Sequence, residues 1–379
     1  MSTLSIRKGT SQQRDAAAAA HELHDAIWQP DMKLGVFYVA ADFDLPALAS
    51  ALHSLFGDVN LVGCTTAGEI TPAGYLSGAL TGFSLAAPEL DVVTRLITVN
   101  PFDAAGTATT VGTMLAGLGD RDGLPPSATD TFAFLLVDGL AMQEELVVSC
   151  IHQQLQGIEL VGGSAADDTR FGATYIYHGG SFHQNVALLN LVRSDLPFMA
   201  FRTQHFVQSD KRMVVTKAYP AQRVVQQING RPAAAEFARL VGLTLTELTP
   251  MIFATHPVVV RVGGQYFVRS IGRVNADGSL QFFCAIDEGI VLTIAKGVDI
   301  VANLQQAFEQ VHATIGPPQL VLGCDCVLRR LETERDGIKE KVGEIFASNN
   351  VIGFATYGEQ INSMHVNQTF TGIAIGRRA

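Results

Sequence analysis

Charge is scarce in this chain. Only 16% of its 379 residues are Asp, Glu, Lys or Arg, and there is one Trp. No basic run interrupts the formal charge of −10; the densest spots are Lys211-Arg212 and Arg329-Arg330. Nucleic acid and an anionic membrane surface are therefore not expected partners. No apolar stretch reaches the ~20 residues that a bilayer-spanning helix needs. The start, Met1 to Lys8, lacks the apolar segment of a signal peptide. The five cysteines are odd in number and have no framework spacing, so reduced thiols and a cytoplasmic location are expected.

Apolar residues are plentiful, at 47%, and the length suits about two domains. Three stretches repeat one pattern: Leu61-Val62-Gly63-Cys64-Thr65-Thr66-Ala67-Gly68-Glu69, Leu160-Val161-Gly162-Gly163-Ser164-Ala165-Ala166-Asp167-Asp168, and Val351-Ile352-Gly353-Phe354-Ala355-Thr356-Tyr357-Gly358-Glu359. Each is an apolar run, a Gly, then small or hydroxyl residues, ending in a carboxylate. The run reads as a buried strand, and the Gly lets another backbone or a ligand come close. Recurrence predicts one architectural unit used three times, with its loops on a shared face.

Strands are expected at Leu34–Ala40, Leu61–Cys64, Gly78–Leu85 and Val92–Val99, with a helix over Asp44–Phe56. The order returns at Phe132–Val137, Gln143–Leu155 and Glu159–Gly162, followed by a hairpin of Ala173–His178 and Val186–Val192. It returns again at Leu320–Cys324, Val327–Phe346, Val351–Phe354 and Phe370–Gly376. Strand–helix–strand spacing predicts right-handed crossovers between parallel neighbours, and the added strands make the sheets mixed. The predicted class is α/β with mixed α+β character: repeated units whose sheets are flanked by helices. Residues 1–29 read as an N-terminal helix, 30–195 as two units, and 196–379 as a smaller α+β segment (196–318) followed by a third unit (319–379).

The three stretches, with the ending Gly358-Glu359-Gln360-Ile361-Asn362-Ser363-Met364-His365-Val366-Asn367-Gln368-Thr369, resemble the FIST family, a sensory domain of signal transduction with N- and C-terminal halves. Within it the chain is similar to NosP-type haem proteins that sense nitric oxide. The resemblance implies a non-catalytic sensor with b-type haem, acting on a histidine kinase or a cyclic-di-GMP enzyme. A second copy of the chain is a further candidate partner. The alternative is a FIST sensor for a small organic ligand such as an amino acid, without haem.

A b-type haem needs an apolar slot and one axial ligand; with no Cys-x-x-Cys-His, c-type attachment is excluded. His256 precedes Pro257 and leads into Val258-Val259-Val260, which predicts an imidazole facing an apolar pocket. His365, among Met364, Val366 and Phe370, is the alternative ligand. In the organic-ligand reading the carboxylates hold an amine while hydroxyls and backbone N–H groups hold a carboxylate. Cys64, Thr65, Thr66 and Glu69 come from the first loop, Ser164 and Asp168 from the second, and Tyr357, Glu359 and Asn367 from the third. Arg329 and Glu332 read as a surface i, i+3 pair, or on the resemblance as neighbours of the Tyr357–Glu359 loop. Cys324 and Cys326 share a strand face but lack the further ligands zinc requires. A nucleophilic Cys64 needs a base, and no histidine adjoins it, so catalysis is not expected.

Overall fold

The computed structural model describes residues 4–88, 90–121 and 123–377. Met1–Thr3, part of the chain start read above, lie outside the described residues. Three copies of one order make up most of the molecule: strand, helix, strand, helix, strand, hairpin, strand. The first comprises Ser5–Ser11, Ala16–Ile27, Met32–Ala40, Leu45–Phe56, Leu61–Thr66, the hairpin Glu69–Thr71 with Gly74–Leu76, and Leu80–Ala86. The second comprises Asp91–Thr98, Ala104–Leu118, Thr131–Val137, Glu144–Gln154, Glu159–Ser164, Ile176–His178 with Ser181–His183, and Val186–Arg193. The third comprises Phe198–Gln204, Ile300–Ile315, Leu320–Cys326, two short helices (Val327–Arg335 and Lys339–Ser348), Val351–Thr356, Glu359–Ile361 with Met364–Val366, and Thr369–Ile375.

The first helix of every unit starts on an aspartate. Asp15, Asp103 and Asp299 each accept a backbone N–H of the first turn, a cap worth about 1 kcal/mol. The second helix then links two parallel strands, as predicted: Gly35–Ala40 pairs with Leu61–Thr66, Phe132–Val137 with Glu159–Ser164, and Val321–Cys326 with Val351–Thr356.

The hairpins do not stay with their own units. That of the first unit extends the third sheet, that of the second extends the first, and that of the third extends the second. This closed exchange wraps three sheets around one shared core. Alternation does the rest. Val36 and Tyr38, Phe132, Phe134 and Leu136, and Leu320, Leu322 and Cys324 point into the common interior. Phe37 and Val39, Leu135 and Val137, and Val321 point outward, under the helices.

The sequence reading divided the chain differently at several points. Ser5–Ser11 precedes the N-terminal helix and pairs with Leu80–Ala86, so this region is an integral part of the first sheet. Asp91–Thr98 belongs to the second sheet, beside Val186–Arg193. Phe198–Gln204 and Ile300–Ile315 belong to the third unit, so the inserted segment is confined to Phe206–Gly297. That insertion is an eight-stranded sheet with its own core of Val215, Val225, Phe237, Phe253, Leu280 and Leu292. The single helix expected over Val327–Phe346 is broken at Gly337, whose φ of +67° is left-handed.

Candidate functional site

The three repeated loops meet. Ala67 N donates to Ala355 O (2.9 Å), Ala166 N to Thr65 O (2.9 Å) and Tyr357 N to Ser164 O (3.4 Å). A second ring runs the other way, from Thr65 N to Tyr175 O, Ser164 N to Gly358 O and Ala355 N to Gly68 O. Within each unit the motif glycines let the parallel strands that carry these loops pack closely. A Cβ on Gly63, Gly162 or Gly353 would lie 2.6, 2.1 or 1.9 Å from a carbonyl oxygen of the partner strand.

Two of the three expected carboxylates hold the frame together. Glu69 accepts from Thr66 Oγ1 (2.5 Å) and from Ala79 N (3.0 Å). Glu359 repeats this with Thr356 Oγ1 (2.7 Å) and Thr369 N (3.1 Å), and adds Thr369 Oγ1. Burial pushes these carboxyls up, to about 7 for Glu69 and about 8 for Glu359. The second unit differs. Opposite the residue after the motif glycine stand Glu69 and Glu359 in two sheets, but Ile176 in the other. There Asp138 supplies the carboxylate, accepting from Asn185 N (2.6 Å) and from the Thr174 hydroxyl. Asp168 is free of this duty and half-exposed.

Most other predicted residues also serve the frame. Thr65 Oγ1 accepts from Tyr175 N (3.0 Å), and Ser164 Oγ from Gln360 Nε2 (2.9 Å). Asn367 ties the third loop to the insertion, donating to Tyr357 O (3.3 Å) and accepting from Ser270 N (3.4 Å). Cys64 lies in the shared core, where burial pushes its thiol well up. Cys324 and Cys326 are buried too, and among the described residues no three His, Cys, Asp or Glu side chains gather as a metal site.

Arg329 is not a surface residue. It is wholly buried, bonded to Asp325 Oδ1 (2.6 Å) and His205 Nδ1 (2.7 Å). The far nitrogen of His205 meets Glu332 (2.8 Å), and the Tyr75 hydroxyl also reaches Asp325. A guanidinium only donates, so His205 Nδ1 accepts and Nε2 carries the proton. Nothing in the sequence around His205 marks it, because its partners lie more than 100 residues away.

The two imidazoles expected as haem ligands stand in different settings. His256 ends the short helix Pro250–Thr255, with Nδ1 beside Thr255 Oγ1 (3.0 Å) and Ile252 O (3.3 Å). His365 is buried, and its Nε2 has no partner. That nitrogen faces the Gly358 backbone so closely that a Cβ there would lie 2.7 Å from it. Neither ring lines any of the cavities described here.

A cavity of about 200 Å³ opens beside the first loop, where Thr66 and Glu69 meet Asp168. Its remaining charged walls are Arg14, Asp42, Arg170 and Arg330, which the motifs did not reveal. Two glycines seat the arginines. Gly68 (φ +132°) and Gly78 (φ +74°) would each put a Cβ within 2.7 Å of the guanidinium of Arg330 or Arg14. Arg330 lies 3.5 Å from Asp168 and 3.3 Å from Ser77 Oγ, and Arg14 lies 3.0 Å from Asp42. Both signs of charge thus face one small space. The signal that could have found Arg330 is its place beside Arg329 in one helix: successive helical residues face different sides, so Arg329 turns to Asp325 and His205 while Arg330, also buried, turns to the cavity.

Fold and cavity together define a three-unit α+β module with a small polar site where its repeated loops converge. The chain belongs to the FIST family: its residues 33–231 match the FIST N domain and 233–362 the FIST C domain. FIST domains are generally sensor domains of signal transduction. A similar protein is the uncharacterized protein MJ1623 of Methanocaldococcus jannaschii, 25% identical over 292 residues, covering 67% of this chain. The match spans a little over half, 56%, of that protein.

Proposed function

We propose that this chain is a signal-transduction sensor whose polar cavity binds a small zwitterion, an amino acid or a molecule like it. One observation carries the reading: Arg14 and Arg330, seated on glycine backbone, share a cavity of about 200 Å³ with Asp42 and Asp168. Guanidinium groups suit a carboxylate and the aspartates an ammonium group. The volume lies below the ~300–1,000 Å³ of drug-sized sites. Backbone N–H groups of three loops meet beside it, so occupancy has a route to all three units.

The resemblance adds the partner class, a histidine kinase or a cyclic-di-GMP enzyme, in the cytoplasm. We assign the chain no catalysis of its own, since Cys64 is buried and its thiol pushed up. Nitric-oxide sensing through haem draws on the resemblance alone.

The test is calorimetric titration with the standard amino acids. One or a few are expected to bind wild type, and Arg330→Ala to weaken them about 10- to 100-fold, the worth of a charged hydrogen bond. No binder, or equal binding by the variant, would overturn the proposal. A visible spectrum after incubation with haem is the companion measurement; a Soret band that shifts with nitric oxide would favour the gas-sensing alternative.

A further inference from the structure

A second cavity, of about 350 Å³, lies between the second unit and the insertion. Leu140, Met142, Phe171, Phe283 and Tyr357 line it. The Phe171 ring stacks on Tyr357 (centroids 4.7 Å, planes at 21°) and lies 5.6 Å from Phe283. Phe171 and Met142 are each 45% exposed. Both also hold left-handed backbone, at φ +52° and +55°. Bulky residues adopt that conformation rarely and at a cost of ~1–3 kcal/mol, and such positions cluster at ligand sites. Here the strain holds two large apolar side chains at the mouth of a cavity, where water gains nothing from them.

The charges around this cavity divide into two kinds. At its floor Arg223 is buried against Glu144 (2.5 Å) and Glu145 (2.6 Å) and also donates to Phe283 O. Those ions satisfy one another and ask nothing of a ligand. Arg273 also lines the cavity, is exposed, and has no ion pair or side-chain hydrogen bond among the described residues. Ring faces inside and one open guanidinium at the rim make a two-part chemical description.

We propose that this cavity is a second ligand site, for a small planar aromatic carboxylate: the ring stacks within the Phe171, Tyr357 and Phe283 walls and the acid meets Arg273. The assignment does not depend on what fills the polar cavity. Since the walls come from the second and third loops and from the insertion, such a ligand would clamp the insertion to the repeated units.

Indole-3-acetate and indole, titrated calorimetrically into the full chain, test it. Indole-3-acetate is expected to bind 1:1 and more tightly than indole. Phe171→Ala should weaken both about 3- to 10-fold, in line with aromatic pair energies. Arg273→Ala should remove the preference for the acid, Leu140→Trp should fill the cavity and block both, and Arg330→Ala should change neither. No binding to folded wild type at millimolar probe, affinities untouched by Phe171→Ala and Leu140→Trp, or a preference for the acid that survives Arg273→Ala would each overturn the proposal.

Discussion

The same turn of the repeated unit makes a charged cavity in the first copy and an aromatic one in the second. Phe37 and Leu135 are the residues paired with the motif glycines Gly63 and Gly162. Five residues beyond them stand Asp42, in the polar cavity, and Leu140, in the apolar one. Five beyond the equivalent Gly323 of the third unit comes Leu328, already inside a helix and buried. The backbone frame repeats; the chemistry does not. Glycines, threonines and the buried glutamates build the repeat, whereas the residues that give each cavity its own character, Asp42, Arg14 and Arg330 in one and Leu140, Phe171 and Phe283 in the other, stand outside the repeated motif.

Charge makes the contrast sharpest, and the largest expected effect probes it. Arg223, under the aromatic cavity, is buried and closed upon two glutamates. Arg223→Ala leaves those carboxylates without their cation and is expected to cost about 3–5 kcal/mol in urea unfolding. The Arg14–Asp42 pair at the polar cavity is open to water, with 68% and 41% of the two side chains exposed, and a pair of that kind contributes only ~0–1 kcal/mol. A small loss for Arg223→Ala would erase the distinction between charges that hold the fold and charges left for a ligand.

A smaller effect ranks the copies themselves. Adding a methyl at the motif glycine forces apart parallel strands, and the clearances are 2.6 Å at Gly63, 2.1 Å at Gly162 and 1.9 Å at Gly353. Overpacking of this kind costs about 1–3 kcal/mol, occasionally more. Alanine substitution should therefore lower the melting temperature in the order Gly353, Gly162, Gly63. Equal shifts, or the reverse order, would show that the three units relax differently from their static spacing.

The frame was legible because it is local. Apolar runs ending in Gly announce the strands Leu61–Thr66, Glu159–Ser164 and Val351–Thr356 directly, and their recurrence announces that the loops gather. The hairpin exchange was not legible. Glu69–Thr71 and Glu359–Ile361 are three residues long and take partners from other units, which no periodicity records. Polar-site residues hid for a related reason: Arg14 and Arg330 are separated by most of the chain, and only the closed ring of units unites them. Asp168 was legible as a loop carboxylate, but its difference from Glu69 and Glu359 appears only in strand register, where Ile176 takes the structural place. Pro257 and three valines suggest that His256 opens an extended apolar run, whereas it ends a helical turn, with Nδ1 3.3 Å from Ile252 O.

The buried glutamates supply the gentlest probe of the repeat. Glu69 and Glu359 titrate near 7 and 8 in the folded protein because burial opposes their charge, against about 4.3 for an unfolded glutamate. The folded state therefore keeps protons that the unfolded state has released. Their stabilising contribution is complete below about pH 4.3 and is lost as pH rises through about 7 and then about 8, at up to ~1.4 kcal/mol per pH unit for each group. Glutamine mimics the protonated form, so Glu69→Gln should roughly halve the slope below about pH 7, and Glu359→Gln should halve it there and also remove the decline between about 7 and 8. Urea unfolding at pH 5, 7 and 8.5 checks the sign. If the wild type and both variants lose stability in parallel across that range, the glutamates are ionised throughout, and the likeness between the first and third units is one of geometry without shared electrostatics.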